Sequence, residues 1–158
     1  MEIIEGSILD ANTDYIAHQV NCKGVMGSGV ALALRQKWGP YLENYFVSCR
    51  AFSRRSYSLL GTYVRSDLPT GQSIINLFGQ DTYGHGKHTI ERSLQEALIR
   101  FCNDIPTDGK QYTCAIPYKI GCGRGGGNWV LVYDMLQQVE GHFSDKVKFI
   151  LYRYSETK

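Results

Sequence analysis

The chain has 158 residues, 43% of them apolar and 20% charged, with five cysteines and a formal net charge of +2. That length suits a single domain, spanning 1–158, with room for one substantial core, and no stretch reaches the roughly 20 apolar residues that span a bilayer. So small a positive charge makes no case for nucleic acid, and arginines such as those of "CRAFSRRS" read as a solvated face.

The opening "MEIIEGSILD" is acidic and lacks a basic leader, so a cytoplasmic setting is expected. Residues 2–5 are β-rich and predict a first strand, and "DYIAHQV" (14–20) predicts a second after the turn-forming "DANTD". In "GVALALRQKW" Val30, Ala31, Leu34 and Trp38 recur at helical spacing. Gly39-Pro40 stops that helix, and "YLENYFVSCRAF" restarts one. "GTYVRS" (61–66) and "QSIINLFG" (72–79) read as strands joined by a Pro-Thr-Gly turn. "HTIERSLQEALIRFC" is the clearest helix, with Ile90, Leu94, Ala97, Leu98 and Phe101 on one stripe. "QYTCAIPY" is a buried strand, Trp129, Val132, Leu136 and Val139 space out a last helix, and "KVKFILYRY" is the closing strand. Strands interleaved with helices predict an α/β sandwich on a mixed sheet, with helices over both faces.

Cys22, Cys49, Cys102, Cys114 and Cys122 are odd in number and form no CxxC pair, which argues for free thiols rather than a disulfide framework or zinc site. "HGKH" (85–88) has no partner cluster, so no metal is expected and no cofactor is implied.

Two loops carry the chemical signal. "NCKGVMGSG" follows the second strand and "KIGCGRGGG" follows the "CAIPY" strand, and each runs into a helix. A glycine-rich loop at a helix N-terminus presents unpaired N–H groups beside the positive end of the helix dipole. Two such loops facing one cleft suit a diphosphate, with Arg124 as a charged donor; tight turns and close helix–sheet packing are the alternative use of the glycines. Neither loop is a Walker A sequence, and neither fits the dinucleotide GxGxxG in its usual place.

Taken together, "AHQVNCKGVMGSGVALALRQKWG" and "AIPYKIGCGRGGGNW" resemble the macrodomain family, which binds ADP-ribose, on the side of the yeast-type ADP-ribose 1″-phosphate phosphatases and the terminal ADP-ribose-protein glycohydrolases. The resemblance covers nearly the whole chain and implies a three-layer α/β/α sandwich. It also implies ligand-binding roles: Asn21 beside the distal ribose; Gly27, Ser28, Gly29 and Val30 in the first loop; Ile120, Gly121, Cys122, Gly123 and Arg124 around the phosphates; Ser7, Ile8 and Tyr152 at the adenine. The implied partners are ADP-ribose, a derivative of it, or ADP-ribosylated macromolecules; separately, a monomer is expected.

The chain departs from that pattern in two places. Ser7 stands where the family often has an Asp that reads the adenine amino group, which forgoes a charge-assisted bond worth ~1 kcal/mol more than a neutral one. Gln80 and Gly125 stand where the terminal glycohydrolases have a Lys and an Asp, and Lys87 comes several residues too late. The phosphatase pattern fits better. His18 lies where that branch also carries His, and Asp81 lies in the polar loop "FGQDTYGHGKH". The expected reaction is removal of the 1″-phosphate, with Asp81 directing a water and His18 protonating the leaving oxygen. A bonded strand histidine and a turn aspartate are the alternatives, and then the chain only binds its ligand; release of ADP-ribose from modified protein or nucleic acid is the other reaction the resemblance implies.

Overall fold

A computed structural model describes residues 1–154. Six strands form one sheet in the order β1-β6-β5-β2-β4-β3: β1 (Glu2–Glu5), β2 (Tyr15–Asn21), β3 (Tyr63–Asp67), β4 (Ser73–Gln80), β5 (Tyr112–Pro117) and β6 (Val147–Arg153). All neighbours are parallel except β3, which runs antiparallel to β4 at one edge. The helices are α1 (Gly29–Trp38), α2 (Glu43–Ala51), α3 (Glu91–Asp104) and α4 (Trp129–His142).

The strand alternation splits the core into two layers. Ile75 and Leu77 of β4 join Ala17, Cys114, Ile116 and Phe149 under α3 and α4. Ile74 and Phe78 turn the other way, with Ile16, Val20 and Ala115, under α1 and α2. Central parallel strands covered on both faces must be apolar almost throughout; β4 is buried from Ser73 to Gly79. The chain is thus the expected three-layer sandwich on a mixed sheet. Each large apolar side chain buried by α3 (Leu94, Leu98, Phe101) contributes about 1.5–3 kcal/mol. No helix among the described residues is long and apolar enough to cross a membrane.

Three local differences from the sequence reading have physical causes. Pro40 opens a 3-10 turn, Gly39–Leu42, so the break between α1 and α2 is a tight link rather than a gap. α3 begins at Glu91, not at His88, because the His88 and Thr89 amides both donate to the Gly125 carbonyl. Residues Ser53–Leu59 form a 3-10 segment that no apolar periodicity announced, and it brings Ser56 into a buried position.

Candidate functional site

The strand order creates the site. β2 and β5 are parallel neighbours at the centre of the sheet. The chain leaves β2 through α1 and α2 toward β3, and leaves β5 through α4 toward β6, so the two connections part in opposite directions. Such a switch point opens a crevice at the carboxyl ends of the strands. Here it is a cleft of about 540 Å³. Its walls include His18 to Asn21, Gly27 to Ala31, Gln80, Tyr83 and Lys119 to Gly121, with Gly123, Arg124 and Gly125.

The first loop is shaped by Asn21. Its Oδ1 accepts from the Lys23 and Val25 amides at 3.0 and 3.3 Å, and its Nδ2 donates to the Val25 carbonyl at 2.7 Å. The Tyr45 hydroxyl donates to the Asn21 carbonyl at 2.7 Å from the buried side of α2. Asn21 therefore lines the cleft while its amide holds the loop. Ser28 occupies the N-cap of α1 without a side-chain cap bond, which leaves first-turn N–H groups available to an anion. Gly27 and Gly29 are exposed, and a Cβ on Gly29 would meet no atom within 4 Å.

The second loop is built differently. Beneath it lies Gln19, whose Nε2 donates to Gln80 Oε1 and to Thr89 Oγ1, both at 2.7 Å. Thr89 passes its own hydroxyl proton to the Gly121 carbonyl at 2.6 Å. A Cβ on Gly125 would sit 2.2 Å from Thr89 Oγ1, and one on Gly127 would sit 2.7 Å from the Gly121 carbonyl oxygen. Gly123 has open space and lines the cleft. Arg124 is exposed at the cleft wall. Gln19, Lys119 and Tyr83 are wall residues that the sequence reading did not name.

The sequence-predicted residues do not all gather here. Asn21, Gly27, Ser28, Gly29, Val30, Ile120, Gly121, Gly123 and Arg124 share the cleft. Cys122 is not among its walls. Its thiol contacts the Ile120 carbonyl at 3.3 Å and is pushed up by burial, which disfavours the thiolate. Ser7 accepts from the Leu9 amide at 3.2 Å as N-cap of a short 3-10 turn. Ile8 is buried, and it packs in one apolar cluster with Val30, Ala31 and the half-buried Tyr152. These three lie beyond β5, at the carboxyl ends of β1 and β6.

His18 and Asp81 differ in setting. The His18 ring is 1% exposed, and burial lowers its pKa to about 4 against the opposing bond to Asn76. Its Nε2 lies 2.8 Å from Asn76 Oδ1, while Nδ1 has no partner. Asp81 is no wall of the cleft; its Oδ1 accepts from Ser56 Oγ at 2.7 Å and lies 3.7 Å from Lys23 Nζ. Lys23 also donates to Ser56 Oγ at 2.7 Å. In the "HGKH" stretch, Lys87 is ion-paired to Glu91 at 2.7 Å.

The Macro domain family model matches residues 17–136. A DNA ADP-ribosyl glycohydrolase of Thermus aquaticus is 25% identical over 143 residues, which are 87% of this chain and 37% of that protein. The chain therefore spans well under half of that relative. Among solved structures, the macrodomain of Mycobacterium tuberculosis DarG matches with a TM-score of 0.74 and 26% identity, over 95% of this chain and 96% of that one. Thermosipho africanus DarTG in complex with ADP-ribose matches with a TM-score of 0.75 over 99% of this chain and 43% of that one. At 15% identity the latter is a likeness of fold.

Proposed function

Since this chain belongs to the macro domain family, we propose that it acts as one domain that binds ADP-ribose in the cleft at the β2–β5 switch point. The observation that carries this reading is the convergence of two backbone surfaces on one crevice: the uncapped start of α1, and the Ile120–Gly125 segment before α4. The diphosphate lies between them, where main-chain N–H groups and Arg124 meet its charge. The terminal ribose lies toward Asn21, and the adenine toward Ile8, Tyr152 and Ser7.

The same cleft supports a second reading, hydrolysis of an ADP-ribosyl derivative, because a 25%-identical relative is a DNA ADP-ribosyl glycohydrolase. The more specific reaction, loss of the 1″-phosphate, asks His18 for a proton and Asp81 for an aligned water. The lowered His18 pKa keeps the ring neutral at pH 7, and its one N–H points to Asn76. Asp81 is engaged by Ser56 and Lys23. Binding therefore ranks ahead of phosphate release.

Calorimetric titration with ADP-ribose, beside AMP and ribose 5-phosphate, tests the proposal. Saturable micromolar binding that needs the whole ligand is expected; no binding would reject it. A phosphate-release assay on ADP-ribose 1″-phosphate then separates binder from phosphatase, and retention of that activity in His18→Ala and Asp81→Ala would remove both residues from the chemistry.

A further inference from the structure

A polar track runs from the exposed Asn44 of α2 into the buried layer at Ser66, Asn76 and His18, and each of its bonds has a single sense. It starts at the Arg65 carbonyl, which can only accept, so the Asn44 atom facing it is Nδ2. Asn44 Oδ1 must then face Ser66, whose hydroxyl donates to it at 2.7 Å. With its one proton spent, Ser66 Oγ accepts from Asn76 Nδ2 at 3.0 Å, and the second Nδ2 proton goes to the Val64 carbonyl at 2.9 Å. Asn76 Oδ1 therefore faces His18 Nε2 at 2.8 Å, and that nitrogen carries the proton. A neutral imidazole has one N–H, so Nδ1 is a bare lone pair. The tautomer follows from the Val64 carbonyl, which orients the Asn76 amide directly with Ser66 in agreement, and not from a choice made at the ring.

Ser66, Asn76 and His18 are each at most 1% exposed. A buried acceptor with no donor is costly unless something fills it, and His18 is a wall residue of the cleft. We propose that the Val64–Asn76 relay, which Ser66 supports, holds His18 Nδ1 as a permanent acceptor for a ligand hydroxyl, so that the cleft selects a hydroxyl at this position and disfavours an anionic oxygen. The inference rests on the ADP-ribose reading for its ligand, and gives His18 the opposite role to that of a proton donor. Asn76 is the positioning residue, and the site takes a sugar hydroxyl.

Long-range nitrogen–proton NMR of the full chain, labelled at histidine, is the test. In the free protein at neutral pH, His18 is expected with Nε2 protonated and Nδ1 bare; a protonated Nδ1 would overturn the relay whatever the ligand. At ADP-ribose saturation the Nδ1 resonance should move as an acceptor does, and an unmoved resonance would overturn the hydroxyl assignment. ADP, run in parallel, assigns the donor: movement with ADP-ribose alone supports a hydroxyl of the terminal ribose, and movement with both supports the adenosine ribose. Asn76→Leu, which removes the acceptor facing Nε2, should mix the two tautomers, which a merely space-filling asparagine would not do; an unchanged tautomer would remove Asn76 from the relay. His18→Phe should weaken ADP-ribose binding about tenfold. Failure of wild-type protein to bind ADP-ribose would instead reject the proposed function, while the free-protein tautomer would still decide the relay.

Discussion

The two glycine loops look alike in sequence and are glycine-rich for different reasons. In the second, Gly121, Gly125 and Gly127 press on Gln19, Thr89 and one another's backbone, leaving Gly123 as the position with open space. In the first, Gly27 and Gly29 meet little or nothing within 4 Å, and the loop is shaped by Asn21 instead. The side chains beneath them differ too. Gln19 spends its Nε2 protons fastening the second loop to Gln80 and Thr89 and leaves only Oε1 without a partner, whereas His18, on the opposite face of β2, keeps a ring nitrogen free. A run of glycine thus marks a loop that must pass close to something; only the surroundings say whether that is the protein or a ligand.

This contrast can be broken by substitution. Gly125→Ala should have the largest effect, a loss of about 3 kcal/mol in chemical denaturation, because its Cβ would lie 2.2 Å from a hydrogen-bonded, β-branched Thr89. Pairing it with Thr89→Ala should cost about 1 kcal/mol less than the sum of the single changes. Strict additivity would mean that the contact does not matter.

A comparable effect is expected from His18, but only in acid. Folding lowers its pKa from 6.5 to about 4, so the unfolded chain takes up the proton first. Stability is complete above pH 6.5 and declines as pH falls toward 4, by about 3 kcal/mol in all. Denaturation curves of wild type and His18→Phe across that range should diverge accordingly; parallel curves would mean that the ring is not buried neutral.

Gly123→Val addresses the ligand side. Since its Cβ meets nothing within 4 Å, melting should be unchanged while ADP-ribose affinity falls at least tenfold, about 1.4 kcal/mol. Unchanged affinity would leave the second loop with a packing role alone. The smallest effect belongs to Ser28→Ala. An N-cap serine usually contributes about 1 kcal/mol, but Ser28 makes no cap bond, so a loss under about 0.5 kcal/mol is expected.

Much of the fold was legible because its elements announce themselves by local periodicity. β1, α1 and the start of α4 fall where the residue pattern put them, and α3 keeps its apolar stripe of Leu94, Ala97, Leu98 and Phe101. Ser53–Leu59 escaped because a 3-10 segment has neither the helical nor the strand period. At the site, both loops were visible as glycine clusters. Lys119, Tyr83 and Gln19 were not, since nothing in a linear pattern says which neighbouring strand end a side chain will face.

By itself, the sequence determined the succession of strands and helices, the apolar stripes that cover both faces of the sheet, and two loops unable to form regular structure. These are local properties, set by side-chain spacing and by glycine. Only the tertiary structure decided that β2 and β5 lie side by side, so that loops about 100 residues apart share one cleft. It alone decided that Thr89 excludes a side chain at Gly125, that Asp81 is engaged by Ser56 and Lys23, and that the Val64 carbonyl on β3 orients the Asn76 amide that faces His18. Contacts of that kind depend on which faces meet after the sheet is assembled, and residue spacing along the chain does not encode them.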